Sequence, residues 1–178
     1  MNQRTVEIVT RLVLVLVVLL LGYWLYAVIR EPIVKERRIK ESKNKVIKRL
    51  KHVRDAENAY KELHGKYTGN WDSLLYTVKH DSFTRIKTVG DPNDTAIQVS
   101  RDTSYTPIKD DLFAKDYPID SIQYSPNTGG KKFNLEAAMI TERGVNVNVF
   151  EAKDVRPIKG TTLKVGSLTK ATTSGNWQ

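Results

Sequence analysis

With 178 residues, a formal net charge of +9 and no cysteine, the chain has room for one small head and appended helices but not for two ordinary domains. The missing cysteines exclude disulfides and thiolate metal sites, so the head must rest on an ordinary apolar core. The positive charge is concentrated: residues 30–66 carry thirteen Lys or Arg against six Asp or Glu, and the rest of the chain is nearly neutral.

A short polar tail, residues 1–11, precedes an unbroken apolar run at residues 12–29, LVLVLVVLLLGYWLYAVI. At a helical rise of about 1.5 Å per residue this run covers roughly 27 Å, close to the hydrocarbon thickness of a bilayer. It is longer than the apolar region of a usual signal peptide, and no small-x-small cleavage site follows it, so an uncleaved membrane helix is expected. Tyr23, Trp24 and Tyr26 lie at its carboxyl end and Arg30 follows at once. Amphipathic rings and a cation in that position mark a membrane interface.

Residues 30–45 form a basic juxtamembrane stalk with Arg30, Lys35, Arg37, Arg38, Lys40, Lys43 and Lys45, interspersed with Glu31, Glu36 and Glu41. Only Arg4 and Arg11 precede the apolar run, and this asymmetry by itself places the carboxyl-terminal bulk in the cytoplasm. Because the basic segment adjoins the bilayer, membrane lipid with an anionic headgroup is its expected partner and nucleic acid is not. A solvated helix face of mixed charge is the plainer reading of the same residues.

From residue 33 to 64 the pattern is helical, with Ile39, Val46, Leu50, Val53, Ala56, Tyr60 and Leu63 on one stripe. From Val46 onward this stripe is expected to pack against a head at residues 46–178, with Val46, Leu50, Val53, Tyr60, Leu63 and Trp71 as the packing residues. Pro32 suits the start of this helix and a kink relative to the anchor. The stripe also admits a parallel coiled coil between copies of the chain, although Lys43 and Glu57 interrupt it. Gly65 is placed to end the helix, and Asn70 to cap a short one through Trp71, Leu74, Leu75 and Val78.

Beyond this corner the signal changes to alternation. Short strands are predicted around Phe83, Ile86 and Val89, around Tyr105 to Ile108, and around Ile119, Ile122 and Tyr124. Two hairpins follow: Asn127-Thr128-Gly129-Gly130 between Ile122-Gln123-Tyr124 and Phe133-Asn134-Leu135, and Glu142-Arg143-Gly144 between Met139-Ile140-Thr141 and residues 145–149. A last strand is predicted within residues 163–168, and Trp177 is expected to dock on the core. The fold class is therefore α+β: an N-terminal transmembrane helix and a long amphipathic helix packed on a small antiparallel sheet.

No constellation for catalysis is visible, and neither a cofactor nor a metal is expected. His52, His64 and His80 lack metal-ligand spacing. Asp91-Pro92-Asn93-Asp94 is followed by Thr95 and Ala96 where a calcium loop wants an oxygen ligand and glycine, so it is read as a turn. Asp110, Asp111, Asp116 and Asp120 are accounted for by capping and turns. Gly129-Gly130-Lys131-Lys132 is read as a hairpin, not a phosphate loop. Asn93-Asp94-Thr95 is formally a glycosylation acceptor.

The order of parts, together with Asp55-Ala56-Glu57-Asn58-Ala59-Tyr60, then Gly65-Lys66-Tyr67-Thr68, then Trp71-Asp72-Ser73-Leu74-Leu75, resembles type IV pilins and the pseudopilins of type II secretion. The resemblance covers residues 12–80 as architecture and about twenty residues as motif. It departs at the amino terminus: no Gly precedes Gly22, and Glu7 lies outside the apolar run, so prepilin processing is not expected. The resemblance implies a pilin-like head, exported to the periplasm on a permanent single-pass inner-membrane anchor, that serves as a structural or assembly subunit of a bacterial envelope complex. Other envelope proteins are then its partners, with a homo-oligomer left open. A membrane-tethered binding module for a peptide, glycan or anionic lipid is the alternative.

Overall fold

The computed structural model describes residues 3–89, 100–126 and 128–177. The chain divides into two compact units, Met1–Ser42 and Lys43–Gln178, and one helix, α1 (Gln3–His64), runs through the boundary. Pro32 lies inside this helix and not at the start of a second one. A proline there lacks the N–H that the Val28 carbonyl would otherwise receive.

In the first unit α1 is the one element among the described residues, and its large apolar side chains from Leu12 to Val28 are exposed. This stretch is long and apolar enough to cross a membrane.

In the second unit the same helix turns amphipathic. Val46, Leu50, Val53, Ala56 and Ala59 are buried at spacings of four, three, three and three, the period of a single helix face. Gly65, at φ 73°, ends α1; its N–H donates to the Lys61 carbonyl at 2.7 Å, and its carbonyl accepts from Asn148 Nδ2 at 3.1 Å. The chain then turns through residues 66–70 into α2 (Trp71–His80), whose N-cap Asn70 accepts from the Asp72 N–H at 2.8 Å. Leu74, Leu75 and Val78 of α2 face the same core.

The strands form two sheets where one was expected. β1 (Ser82–Val89) pairs antiparallel with β2 (Ser100–Pro107), from Ser82 opposite Pro107 to Val89 opposite Ser100. β3 (Asn134–Glu142), β4 (Val145–Lys153) and β5 (Lys164–Gly166) make a separate antiparallel sheet in that order. The β3–β4 hairpin closes with Glu142 opposite Val145. Arg143 at φ 51° and Gly144 at φ 80° occupy its two-residue turn, and with both residues left-handed the turn's twist matches that of the flanking strands. Gly166 is required at the end of β5, because a Cβ there would lie 2.2 Å from the Phe150 carbonyl oxygen. The predicted turn at residues 91–94 and the glycosylation pattern at residues 93–95 lie outside the described residues, as does Asn127.

Three strand expectations are corrected. Ile108 does not end β2 but opens the short helix α3 (Ile108–Leu112). Residues 119–123 form a 3₁₀ turn, not a strand. Ile119 and Ile122 are three apart, the repeat of a 3₁₀ turn, which puts both on its buried side. The turn is reinforced locally by Ser121 Oγ donating to the Pro118 carbonyl at 2.6 Å and Gln123 Nε2 donating to the Asp120 carbonyl at 3.1 Å, bonds that compete with a sheet ladder. The hairpin expected across residues 122–135 is reduced to the bridge between Tyr124 and Lys132, with Phe133 N–H donating to the Gln123 carbonyl at 2.8 Å.

The core of the second unit, among the described residues, is built from Val46, Leu50 and Val53 of α1, Leu74 and Val78 of α2, and Phe83, Ile108, Ile122, Leu135, Phe150 and Val165. Trp177 is partly buried against it.

Candidate functional site

Two regions carry the chemistry. The first is the polar end of the apolar run, wholly within the first unit. Tyr23, Trp24 and Tyr26 are strongly exposed, and the Arg30 guanidinium lies 5.9 Å from the centroid of the Tyr26 ring, a cation–π contact. Tyr23, Tyr26, Arg30, Val34, Lys35 and Arg38 line a shallow groove of about 560 Å³ along one side of α1. Lys35 is ion-paired with Glu31 one turn earlier. Among the described residues no carboxylate lies within 4 Å of Arg30 or Arg38. Arg37, Lys40, Lys43 and Lys45 of the basic stalk are also exposed, so the polar helix surface carries its charge outward on all sides.

The second region is the face of the head around Trp71. Of the six expected packing residues, Val46, Leu50 and Val53 are fully buried and Tyr60 and Trp71 pack at the core margin. Leu63 does not pack there. It is 38% exposed, because it occupies the last turn of α1, one turn past Ala59, where the chain bends away at Gly65. The Trp71 indole is held by its Nε1–H, which donates to the Phe133 carbonyl at 3.1 Å. Trp71, Lys132, Lys153, Asp154 and Thr162 contribute to an open groove of about 680 Å³.

No protein-family model, curated protein or solved structure matches this chain. What the two regions can do therefore follows from their own geometry.

Among the described residues no cluster of three metal-ligating side chains occurs. The histidines have separate surroundings. His52 sits edge-on to Phe113 and Tyr117 at 5.4 and 4.8 Å, and burial, ahead of the charge on Lys48, pushes its pKa down. His64 Nε2 lies 3.3 Å from Thr77 Oγ1. His80 packs on the Tyr76 ring. The aspartates expected as caps do other work: Asp111 pairs with Arg85 at 2.7 Å and Asp120 with Lys79 at 2.6 Å, while α3 has no side-chain cap.

Glu57, which the sequence marks only as an interruption of the coiled-coil stripe, is a buried acid. It has no exposed surface. Its Oε2 accepts the Thr68 N–H at 3.0 Å, and its Oε1 has no partner. Burial raises the carboxyl from an ordinary 4.5 to about 8, against the opposing pull of the Thr68 hydrogen bond. The signal was present in the sequence as a lone acid between Ala56 and Tyr60 on the apolar stripe. A solvated acid interrupting a coiled-coil seam and a buried one locking a corner leave the same pattern.

Proposed function

We propose that this chain is a single-pass, membrane-anchored structural or assembly subunit of a bacterial envelope complex, related in design to secretion or pilus-like machinery and acting through protein contacts. The observation that carries the anchor is the apolar run of α1, whose large side chains from Leu12 to Val28 are exposed among the described residues; in water such a surface is strongly unfavourable, and lipid removes the penalty. The head also exposes large apolar side chains on separate elements, among them Tyr76, Tyr105, Val155, Met139 and Val145, and the subunit reading predicts that partner proteins cover some of them. A pilin-like, periplasmic head rests on the sequence motifs of the helix corner; the Lys and Arg excess after the apolar run favours the opposite orientation.

A second reading, a tethered binding module, is favoured by the groove beside Trp71, which combines an oriented indole with amine, carboxylate and hydroxyl side chains. Extraction of the tagged full chain in mild detergent separates the two. A subunit elutes with other envelope proteins in one stable large species, and protease added to spheroplasts removes a carboxyl-terminal tag. Elution as a lone monomer overturns the subunit reading in favour of the binding module, and a tag protected until the inner membrane is breached overturns the periplasmic head.

A further inference from the structure

We propose that the face of α1 formed by Tyr23, Tyr26, Arg30, Val34 and Arg38 is a binding site for the phosphate headgroup of an anionic glycerophospholipid in the membrane that anchors the chain. This rests on the anchor reading above and adds a ligand class and the residues that hold it.

At 100° per residue, Tyr23, Arg30, Val34 and Arg38 fall within roughly 80° of one another around the helix, with Tyr26 beside them. All five line the 560 Å³ groove, which Ala27, Glu31 and Lys35 complete. The apolar run ends at residue 29, so Arg30 stands at the start of the headgroup layer, which is about 7 Å deep. Arg38 is eight residues further, about 12 Å along the axis. Helical side chains tilt toward the amino terminus, which here is the direction of the bilayer, so a long Arg38 side chain leans back toward the same layer that Arg30 occupies. The two tyrosine rings belong at that depth, and the Tyr26 ring already holds the Arg30 guanidinium from one side.

Charge selects the ligand. Glu31 neutralises Lys35 on this face, whereas Arg30 and Arg38 have no carboxylate within ion-pair distance among the described residues. The net result is two guanidinium groups whose planar forks match phosphate oxygens bidentately. A zwitterionic headgroup brings its own cation into this field and is disfavoured; a headgroup with a net negative phosphate is not. At the strength usual for basic residues beside an anionic membrane, each arginine is worth about fivefold and the pair about thirtyfold in preference.

The test uses the full chain in a neutral detergent with equal amounts of phosphatidylglycerol and phosphatidylcholine, counting bound lipids by native mass spectrometry at fixed ionic strength. The expected result is a preference for phosphatidylglycerol of about thirtyfold, abolished in the double variant R30Q/R38Q and retained in K40Q/K43Q, which removes the same charge from another side of the helix. Equal loss in both double variants, or no preference in the parent, overturns the proposal. So does displacement of the lipid by excess glycerol phosphate, which would make the site one for soluble phosphate. Resistance of each variant to alkaline carbonate extraction from phosphatidylcholine vesicles is read in parallel. A chain that is extracted fails as an anchor; a chain that stays inserted but shows no lipid preference refutes only the headgroup site.

Discussion

Glu57 is a carboxyl with no exposed surface and one hydrogen bond, from the Thr68 N–H. The charged form is disfavoured by burial, so its pKa rises to about 8. Between about 4.5 and about 8 the unfolded chain has given up this proton while the folded chain keeps it. Stability therefore falls as pH rises through that window, by roughly 1.4 kcal/mol per pH unit where the difference is complete. Below the window the group is neutral in both states, and above it the penalty is constant. Glu57→Gln keeps an acceptor for the Thr68 N–H without a titrating proton. The variant is expected to exceed the parent in stability by roughly 2 to 4 kcal/mol at pH 8, the gap closing toward pH 5. Thermal melts at stepped pH check this, and a parent profile that is flat over the window contradicts it.

The same helix is a different object in its two halves, and the change lies in which residues recur. Before residue 30 apolar side chains surround the axis; after Lys45 they keep to the Val46, Leu50, Val53 face. Leu50→Asp puts a charge with no partner at the centre of that face and is expected to destabilise the head by about 3 to 5 kcal/mol. Near-ultraviolet circular dichroism of the detergent-solubilised chain would show loss of aromatic packing at lower temperature, with the helical signal of the first unit retained; an unchanged melt would remove this face from the core.

Elements with strong local chemistry were legible. Gly65 ends α1 in a left-handed conformation, Asn70 caps α2, and the turn at Arg143-Gly144 sets the register of β3 and β4. What could not be read is decided by packing at longer range. Ile119 and Ile122 offer the same apolar count to a strand as to a 3₁₀ turn, and the local bonds of Ser121 and Gln123 tip the choice. The split into two sheets depends on which strands find each other, not on any strand's own sequence. At the candidate site, Tyr23, Tyr26 and Arg30 were legible because an apolar run has an end. The shared face with Arg38 and the neutralisation of Lys35 by Glu31 needed the helix to be continuous through Pro32.

At the scale of the whole chain, the division of labour is visible in where the core begins. Every residue of the buried cluster lies at or after Val46, and Met1–Ser42 is a unit of its own. Hydrophobic stabilisation scales with apolar area removed from water, and deleting residues 1–42 removes no residue of the buried cluster while removing the exposed apolar stretch of α1. The fragment of residues 43–178 is expected to be soluble without detergent and to melt within a few degrees of the head transition in the full chain. The full chain is expected in the membrane fraction after lysis without detergent. A fragment that unfolds would mean that the first unit, through the membrane or through another copy, supplies stability that the head's own core does not. A full chain recovered in the soluble fraction would mean that the exposed leucines of α1 are covered by protein, not by lipid.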